Sequence, residues 1–456
     1  VLFKNLQENK MTNRNKGVYQ DTIIYCVKTE IMFSDEVSRI LNGQSKICNW
    51  LYNRLYEMVE YDYKNNDGAA GLTRKFTLRD QVPVLKRKYP FLKTVYSSVS
   101  KNVALRLAGA YKAFFEGKCD HPHFRSQKKK WFSLEYEEKA GWVVDGRDLT
   151  LSLGKDENNK QIRVQGILKS KINVDNAKSF RLVKERDRFY GVFTIVEKKR
   201  EVKESEKWIS IDPNHKNLFI SIDRNGESIE FDNLAEIKYW DAVCDNLRSR
   251  RDLCKRKSVF VSTDGRRGYW KPSKRWVKYN EAYKRAMLTR REQIKLGMFT
   301  IANYLCRHYD VIMIGDYVPN SSLSTSPNMS RGMLNQSVIG KLRSTIKWVC
   351  EKSGKKFIKT DEKFTTMKCS NCGHMEKKLP DIRVFTCKSC GKTFHRDINS
   401  AINIAKNNDY LPCTGYVEEP TYTAHWSHKD SRVEKLNKNR GRFLSNCIGV
   451  NKLVYV

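Results

Sequence analysis

Four of the thirteen cysteines form two close pairs. The pairs are CSNC at 369–372 and CKSC at 387–390, with 14 residues between them. Each pair brings two thiolates within reach of one ion, and four thiolates complete a tetrahedral zinc site. A redox CxxC motif would be single, and the other nine cysteines are scattered along the chain. The spacing predicts a structural Zn²⁺ site that folds a segment too small to hold itself together; its ligands are Cys369, Cys372, Cys387 and Cys390.

Two aspartates stand where carboxylates often bind metal ions. Asp212 ends the strand WISID and precedes a polar turn, whereas Asp397 opens the apolar helix of FHRDINSAINIAK. Each also has an ordinary role, because a lone Asp after a strand is commonly a turn former and an acid at a helix N-terminus interacts with the helix dipole. With a third carboxylate nearby, however, such a pair would bind two Mg²⁺ ions about 4 Å apart and cleave phosphodiesters by the two-metal route.

The charge balance points to a polyanionic partner. The 456 residues contain 86 Lys and Arg against 51 Asp and Glu, a formal net charge of +35. A surplus of this size repels itself in the folded state, and a phosphate backbone is its usual neutralising partner. A membrane surface is the rival interpretation, but the chain has no apolar run of spanning length and its basic residues are spread throughout.

A basic run flanked by aromatic residues is the most local sign of phosphate binding. It reads HPHFRSQKKKW, residues 121–131. Its ordinary interpretation is a solvated loop, yet in a chain of this charge phosphate contact is the preferred one. The expected contacts are Arg125, Lys128, Lys129 and Lys130.

The order of the predicted elements indicates a multidomain α+β protein. Strand patterns at 18–28 and again after Gly117 predict one antiparallel β-domain, which helices over 35–116 interrupt. From 206 onward the order is three strands, helices, a strand, a helix and a strand. The two helices that follow the third strand are expected near 234–256 and 274–308. This succession is typical of an RNase H-like mixed sheet with strand order 3-2-1-4-5.

Four motifs resemble the TnpB family of transposon-associated RNA-guided nucleases and its eukaryotic and viral relatives, the Fanzor proteins. They are HPHFRS, SIDPNHKNL, TTMKCSNCG and FHRDINSAINIA, and the match runs in order from about residue 18 to 406, strongest over 206–406. The resemblance implies a guide RNA held against the β-domain and the nuclease domain, with a helical lobe over the guide–target duplex. It also implies a RuvC-type centre of Asp, Glu and Asp, whose aspartates are Asp212 and Asp397 by motif.

The third acid departs from the common TnpB pattern. The family's glutamate usually ends the strand that reads VIMIGDYVP here, where Gly315 and Asp316 stand instead. Asp316 cannot simply replace it, because one step along a strand turns the side chain to the opposite face. Glu362 ends the neighbouring strand, roughly 4.8 Å away, and the absence of a side chain at Gly315 leaves room for it. In this respect the chain resembles Fanzor proteins and some TnpB proteins, whose glutamate is relocated in this way. Glu362 is therefore predicted as the third metal ligand.

The sequence therefore predicts an RNA-guided DNA endonuclease with Zn²⁺ and Mg²⁺ as cofactors. Its partners would be a guide RNA and target double-stranded DNA, with no membrane, and the protein would be monomeric. The alternatives are a guided DNA-binding protein with an inactive site, a guide-independent transposon-associated nuclease, and a plain zinc-ribbon DNA-binding factor. A nuclear location is expected only if the host is a eukaryote or a virus of one.

The predicted organisation has six parts and one mobile lid. The lid is the polar stretch 320–330, expected over the nuclease centre. The parts are a disordered N-terminus (1–16), a wedge-type β-domain (17–34 and 117–205), a helical recognition lobe (35–116), a RuvC nuclease domain (206–362 and 391–410), a zinc ribbon (363–390) and a C-terminal tail (411–456).

Overall fold

The computed structural model divides the chain into two compact units between Lys198 and Lys199. None of the helices within the described residues is long and apolar enough to cross a membrane. The structure describes residues 21–65, 71–126, 131–137, 141–185, 187–202, 205–214, 217–262, 268–318, 338–378, 382–412, 419–427, 429–437 and 443–444. The N-terminus predicted as disordered and the predicted lid at 320–330 lie outside these ranges.

The first unit is a seven-stranded antiparallel sheet with a helical insert. The sheet order is β2-β6-β7-β1-β5-β4-β3, and helix and sheet residues share one apolar core. The elements are β1 (Thr22–Met32), α1 (Asp35–Asn65), α2 (Lys75–Lys88), α3 (Ser97–Phe115), β2 (Ser133–Tyr136), β3 (Trp142–Asp145), β4 (Asp148–Lys155), β5 (Gln161–Leu168), β6 (Ala177–Glu185) and β7 (Arg188–Lys198). The predicted antiparallel domain with inserted helices is confirmed.

One strand of this sheet was not predicted. Strand β6 pairs with β2 on one side and with β7 on the other. Its sequence AKSFRLVKE buries only Ala177, Phe180 and Leu182, while polar or charged residues fill the intervening positions. Because so few apolar residues mark it, the period-two signal of a half-buried strand is weak here.

The second unit contains an eight-stranded mixed sheet of order β14-β13-β8-β9-β10-β17-β18-β19. Its first five strands have the predicted 3-2-1-4-5 order, which is thereby confirmed. Strand β13 is parallel to both β8 and β14, and β9 is antiparallel to both β8 and β10. The strands are β8 (Trp208–Pro213), β9 (Phe219–Asp223), β10 (Ser228–Phe231), β13 (Val311–Gly315), β14 (Lys356–Thr360), β17 (Tyr422–Ser427), β18 (Arg432–Asn437) and β19 (Phe443–Leu444).

The remaining elements of this unit are helices and two small hairpins. The hairpins are β11 (Val259–Ser262) with β12 (Gly268–Lys271), and β15 (Val384–Thr386) with β16 (Thr393–His395). The helices are α4 (Ala235–Leu253), α5 (Lys274–His308), α6 (Ile339–Ser353) and α7 (Arg396–Lys406). The two long helices predicted after the third strand are α4 and α5.

The segment after residue 410 differs from the predicted tail. Strand β17 lies parallel to β10, and β18 continues the sheet antiparallel to β17. Ala424 and Trp426 are buried in the same core as Phe231. The chain beyond 410 thus supplies three strands that extend the sheet past β10.

Alternate residues of the central strands pack against different helices. Ile312 and Ile314 of β13 belong to the core formed with α5 and α6, whereas Val311 and Met313 belong to the core formed with α7. Successive side chains of a strand point to opposite faces. Residue 315 therefore belongs to the α7 face, at the carboxyl end of β13.

Candidate active site

Asp212 lies at the carboxyl end of β8 on the α7 face. Two residues earlier, the Ser210 hydroxyl donates a hydrogen bond of 2.7 Å to the carbonyl of Ala401 in α7. Asp212 shares that face by the period of two, and its side chain is buried. Its pKa is raised well above the usual range, chiefly by burial and then by Glu362 and Asp397, while Arg396 and Arg383 lower it. Asp212 thus has both other predicted acids as electrostatic neighbours.

Glu362 occupies the space that a side chain at Gly315 would take. Gly315 pairs with Thr360, so Glu362 follows two residues after the end of the shared ladder. A Cβ built on Gly315 would collide with the Glu362 side chain and come closest to its Oε1. The glutamate therefore reaches the α7 face of β13 from the neighbouring strand, over a glycine that makes room for it.

Reciprocal backbone contacts hold Glu362 in this position. The Tyr317 backbone N–H donates to the Glu362 carboxylate, while the Glu362 backbone N–H donates to Asp316 Oδ1 at 3.2 Å. Arg343 of α6 donates to the carbonyls of Gly315 and Tyr317, at 3.0 Å each. The turns after β13 and β14 thus fix each other. Asp316 acts here as a backbone acceptor.

We expect Gly315→Ala to lower any cleavage activity by about a hundredfold, because the new methyl would displace the Glu362 carboxylate by more than 1 Å. The measurement is the initial rate of DNA cleavage alongside target binding, which should be unchanged. Gly340→Ala is the matched control, since a Cβ there meets nothing within 4 Å. Equal rates for the two variants would contradict the placement of Glu362.

Asp397 is held by two arginines at the start of α7. Its backbone N–H donates to His395 Nδ1 at 3.3 Å, which caps the helix. Arg383 forms an ion pair with its Oδ2, and Arg396 Nε lies 3.1 Å from its Oδ1. These two cations offset the charge of a carboxylate that is almost fully buried. Neither arginine was predicted as a site residue, and the contact of Arg383 with Asp397 spans the second cysteine pair.

The site has the charge and the free oxygens that divalent cations need. Burial is the main cause that raises the pKa of Glu362 to about 7, with Asp316 adding to it. Glu362 Oε1 is buried and has no hydrogen-bond partner among the described residues. Buried, unpartnered carboxylate oxygens are costly unless a cation binds them, so the donor set fits Mg²⁺.

The four predicted zinc ligands converge tightly. Their sulfur atoms all lie within 4.8 Å of one another, with Cys369 to Cys390 at 3.8 Å and Cys372 to Cys387 at 3.6 Å. A tetrahedron with zinc–sulfur bonds of about 2.3 Å has sulfur–sulfur edges of about 3.8 Å. Within the described part of the chain, it is the one group of three or more His, Cys, Asp or Glu residues whose ligand atoms lie this close together. The three carboxylates, which would share two ions, are more widely spread.

Two asparagines of α7 tie the first zinc knuckle to the helix that carries Asp397. Asn399 accepts the Ser370 N–H at 2.8 Å and donates to the carbonyl of Lys368 at 2.8 Å. Asn403 donates to the carbonyls of Thr365 and Lys368, at 2.8 Å each. The segment leading from Glu362 into the knuckle is thereby fixed to α7. The sequence signal was two asparagines four residues apart, which places them on the same side of the helix.

Arg125 is engaged within its own unit. Its guanidinium lies over the ring of Tyr52, 3.7 Å from the centroid, and donates to Asn49 Oδ1 at 3.1 Å. Its backbone N–H donates to Asn53 Oδ1 at 2.8 Å. These contacts hold the loop to α1, and phosphate binding by Arg125 stays a prediction. Lys128, Lys129 and Lys130 lie outside the described residues.

Comparisons with known proteins agree with this architecture. The family model "Cas12f1-like, TNB domain" matches residues 340–404, which include Glu362, the four cysteines and Asp397. The TnpB-like protein L79 of Acanthamoeba polyphaga mimivirus is 28% identical over 138 residues, covering 29% of this chain and 26% of the relative. The CRISPR-associated endodeoxyribonuclease Cas12f1 of Sulfoacidibacillus thermotolerans is 35% identical over 68 residues, 15% of this chain and 16% of that protein.

Segments of this chain are thus similar in sequence to a TnpB-like protein and to Cas12f1. The predicted resemblance to TnpB is thus confirmed. The matched segment spans about a quarter of the length of the TnpB-like relatives. The solved Cas12f1–sgRNA–target DNA complex has a TM-score of 0.54 at 12% identity and covers 87% of each chain, which shows a shared fold.

Proposed function

We propose that this protein is an RNA-guided DNA endonuclease with a Mg²⁺-dependent RuvC-type site of Asp212, Glu362 and Asp397. The observation that carries the proposal is the Glu362 carboxylate. It lies over Gly315 with a buried, unpartnered oxygen and contributes to the raised pKa of Asp212. A glutamate on an exposed turn would have none of these features, and a degenerate site would have no reason to keep them together.

The net charge of the chain and its similarity to Cas12f1 both indicate nucleic-acid partners. The chain carries a net charge of +35, which suits a protein that holds an RNA and a DNA strand. One related structure is a Cas12f1 complex with a single guide RNA and target DNA. By analogy, a guide RNA would select the target of this protein by base pairing, and the protein itself would read only a short adjacent motif.

Some residues of the site would bind the cations, and others fix the positions of the carboxylates. Asp212, Glu362 and Asp397 would hold Mg²⁺, which supplies an activated water and stabilises the leaving oxygen of the scissile phosphate. Arg343 and the Tyr317 N–H keep Glu362 directed at Asp212. The zinc ribbon positions Glu362 and Asp397 through Asn399 and Asn403.

The test begins with the purified protein and whatever RNA accompanies it. That RNA is sequenced, and a plasmid library is built with a matching target beside randomised flanking bases. We expect linear product only with a matched target, an accepted flank and Mg²⁺, and none when Mg²⁺ is left out of the buffer. Cleavage without bound RNA would favour a guide-independent nuclease, and target binding without cleavage would favour a guided binding protein.

A further inference from the structure

The helices α4 and α5 form an antiparallel arm. Arg290 Nε of α5 lies 2.7 Å from Asp241 Oδ1 of α4, near the base of the pair. Further out, the Arg251 guanidinium lies 5.2 Å from the centre of the Tyr283 ring. At the far end, the Ser273 hydroxyl donates to the carbonyl of Cys254 at 3.4 Å. The sequence separation between the contacting residues increases from the tip to the base, as expected for two antiparallel helices joined at the tip.

The arm extends from the edge of the sheet that bears the carboxylates. Strand β10 runs in the same direction as β8, because each is antiparallel to β9. Leu234, just after β10, lies against Gly297 of α5. The 23 residues of α5 before Gly297 extend about 35 Å beyond this level, at 1.5 Å per residue. The arm therefore extends on the side of the carboxyl edge, where Asp212 lies.

The tip is an exposed aromatic hairpin. Strands β11 and β12 pair only with each other among the described strands, and a two-stranded hairpin alone is marginally stable. Phe260 and Trp270 are cross-strand partners with ring centroids 5.4 Å apart, and they are 53% and 66% exposed. The Phe260 ring also covers Gly268, where a Cβ would clash with it. The two rings are thus held in place yet face solvent.

Basic residues surround this aromatic pair. Seven exposed lysines and arginines lie in the described residues 254–262 and 268–278, which contain no aspartate or glutamate. No ion pair joins any of the seven to a described acid. They are Lys255, Arg256, Lys257, Lys271, Lys274, Arg275 and Lys278.

We propose that the β11–β12 hairpin binds single-stranded DNA. Exposed aromatic rings within a basic surface are the means by which proteins hold single strands, since bases stack on the rings and phosphates contact the cations. Paired bases in a duplex are already stacked and would leave Phe260 and Trp270 without a partner. The choice of DNA rests on the proposed function, because the arm rises from the edge at which a DNA strand would be cut.

The test measures the binding of a short fluorescein-labelled oligothymidylate to the full chain with its co-purified RNA, in buffer without Mg²⁺. We expect the double variant Phe260→Ala/Trp270→Ala to bind about 10- to 100-fold more weakly, and Phe260→Tyr/Trp270→Phe to retain most affinity. Tyr239→Ala is the matched control, since Tyr239 is 63% exposed on α4 and far from the tip. When the native protein binds DNA that contains 5-iodouracil, ultraviolet light should crosslink the DNA to residues of the hairpin.

Two results would overturn the assignment. One is unchanged oligothymidylate affinity in the alanine variant, and the other is an equal or larger loss for oligouridylate, which would assign the surface to RNA. Circular dichroism and a thermal melt establish that the variant is folded. The assay measures binding without Mg²⁺ and without cleavage, so its result can be interpreted even if the protein is not a nuclease. Conversely, a hairpin that does not bind DNA leaves the nuclease proposal unaffected.

Discussion

Glu362→Gln should lower Mg²⁺-dependent DNA cleavage about a thousandfold while target binding by the guide complex persists. The substitution keeps the shape of the side chain but removes the anionic oxygen that lies buried without a partner over Gly315. Loss of a metal ligand forfeits several kcal/mol of transition-state stabilisation, and each 1.4 kcal/mol is a factor of ten in rate. The measurements are single-turnover cleavage and target affinity. Glu362→Ala should behave alike.

Asp316→Asn is the control for charge removal. Asp316 also ends β13, but its carboxylate accepts the Glu362 N–H and lies 3.8 Å from Lys359 Nζ. An asparagine oxygen can still accept that hydrogen bond, so most of the cleavage rate should remain, and Asp316→Ala should also keep most of it. Comparable loss in the Glu362 and Asp316 variants would mean that the catalytic carboxylate has been misassigned.

The same Glu362 variant has a second readout in stability. In the metal-free protein the pKa of Glu362 is about 7, against an ordinary 4.5. Between these values the native state keeps a proton that the unfolded chain has released, so native stability falls as pH rises through this window. Glutamine does not titrate. In buffer without Mg²⁺ the variant should therefore melt at a higher temperature than the native protein at pH 8, with the difference shrinking toward pH 4.

Loss of zinc should abolish cleavage although no zinc ligand touches DNA in the proposed mechanism. Cys387→Ser removes one of the four converging sulfurs, and a structural zinc site supplies much of the folding free energy of its module. Without zinc, the first knuckle loses its fixed geometry. The carbonyls of Thr365 and Lys368, which Asn399 and Asn403 bind, are then no longer held in place. We expect cleavage to fall by at least about a hundredfold, since misplacement by 1 Å can cost that much.

Zinc content and cleavage rate are measured together for this prediction. Cys119→Ser is the matched control, because Cys119 is exposed and lies in the first unit; it should keep both its zinc and its rate. If Cys387→Ser loses zinc yet cleaves at the native rate, the ribbon does not position the carboxylates.

Local patterns made the nuclease sheet predictable. Strands β8 and β13 are buried at every position, and the continuous apolar run of β13 indicates a central parallel strand. The period of two then places Asp212 and residue 315 on one face. The glycine at 315 and the acid two residues after the neighbouring strand, together with the resemblance to Fanzor proteins, favoured Glu362, whose role as a metal ligand stays a prediction.

Contacts that join distant segments were not predictable in this way. Arg383 reaches Asp397 only because β15 and β16 fold back beside α7. The hairpin at the tip of the α4–α5 arm lay within what the sequence indicated as a loop, because its four-residue strands are exposed on both faces. Burial gives strands their periodic signal, so an exposed hairpin carries almost none.

The pairing of β17 with β10 bears on how this protein is made. Nearly two hundred residues separate Ile229 from its partner Tyr422, so this ladder cannot close until the ribosome has made the chain past residue 422. Until then β10 presents an open row of amide and carbonyl groups, the kind of template that recruits other chains. A product that stopped near residue 410 would contain every proposed metal ligand, yet we expect it to precipitate during expression.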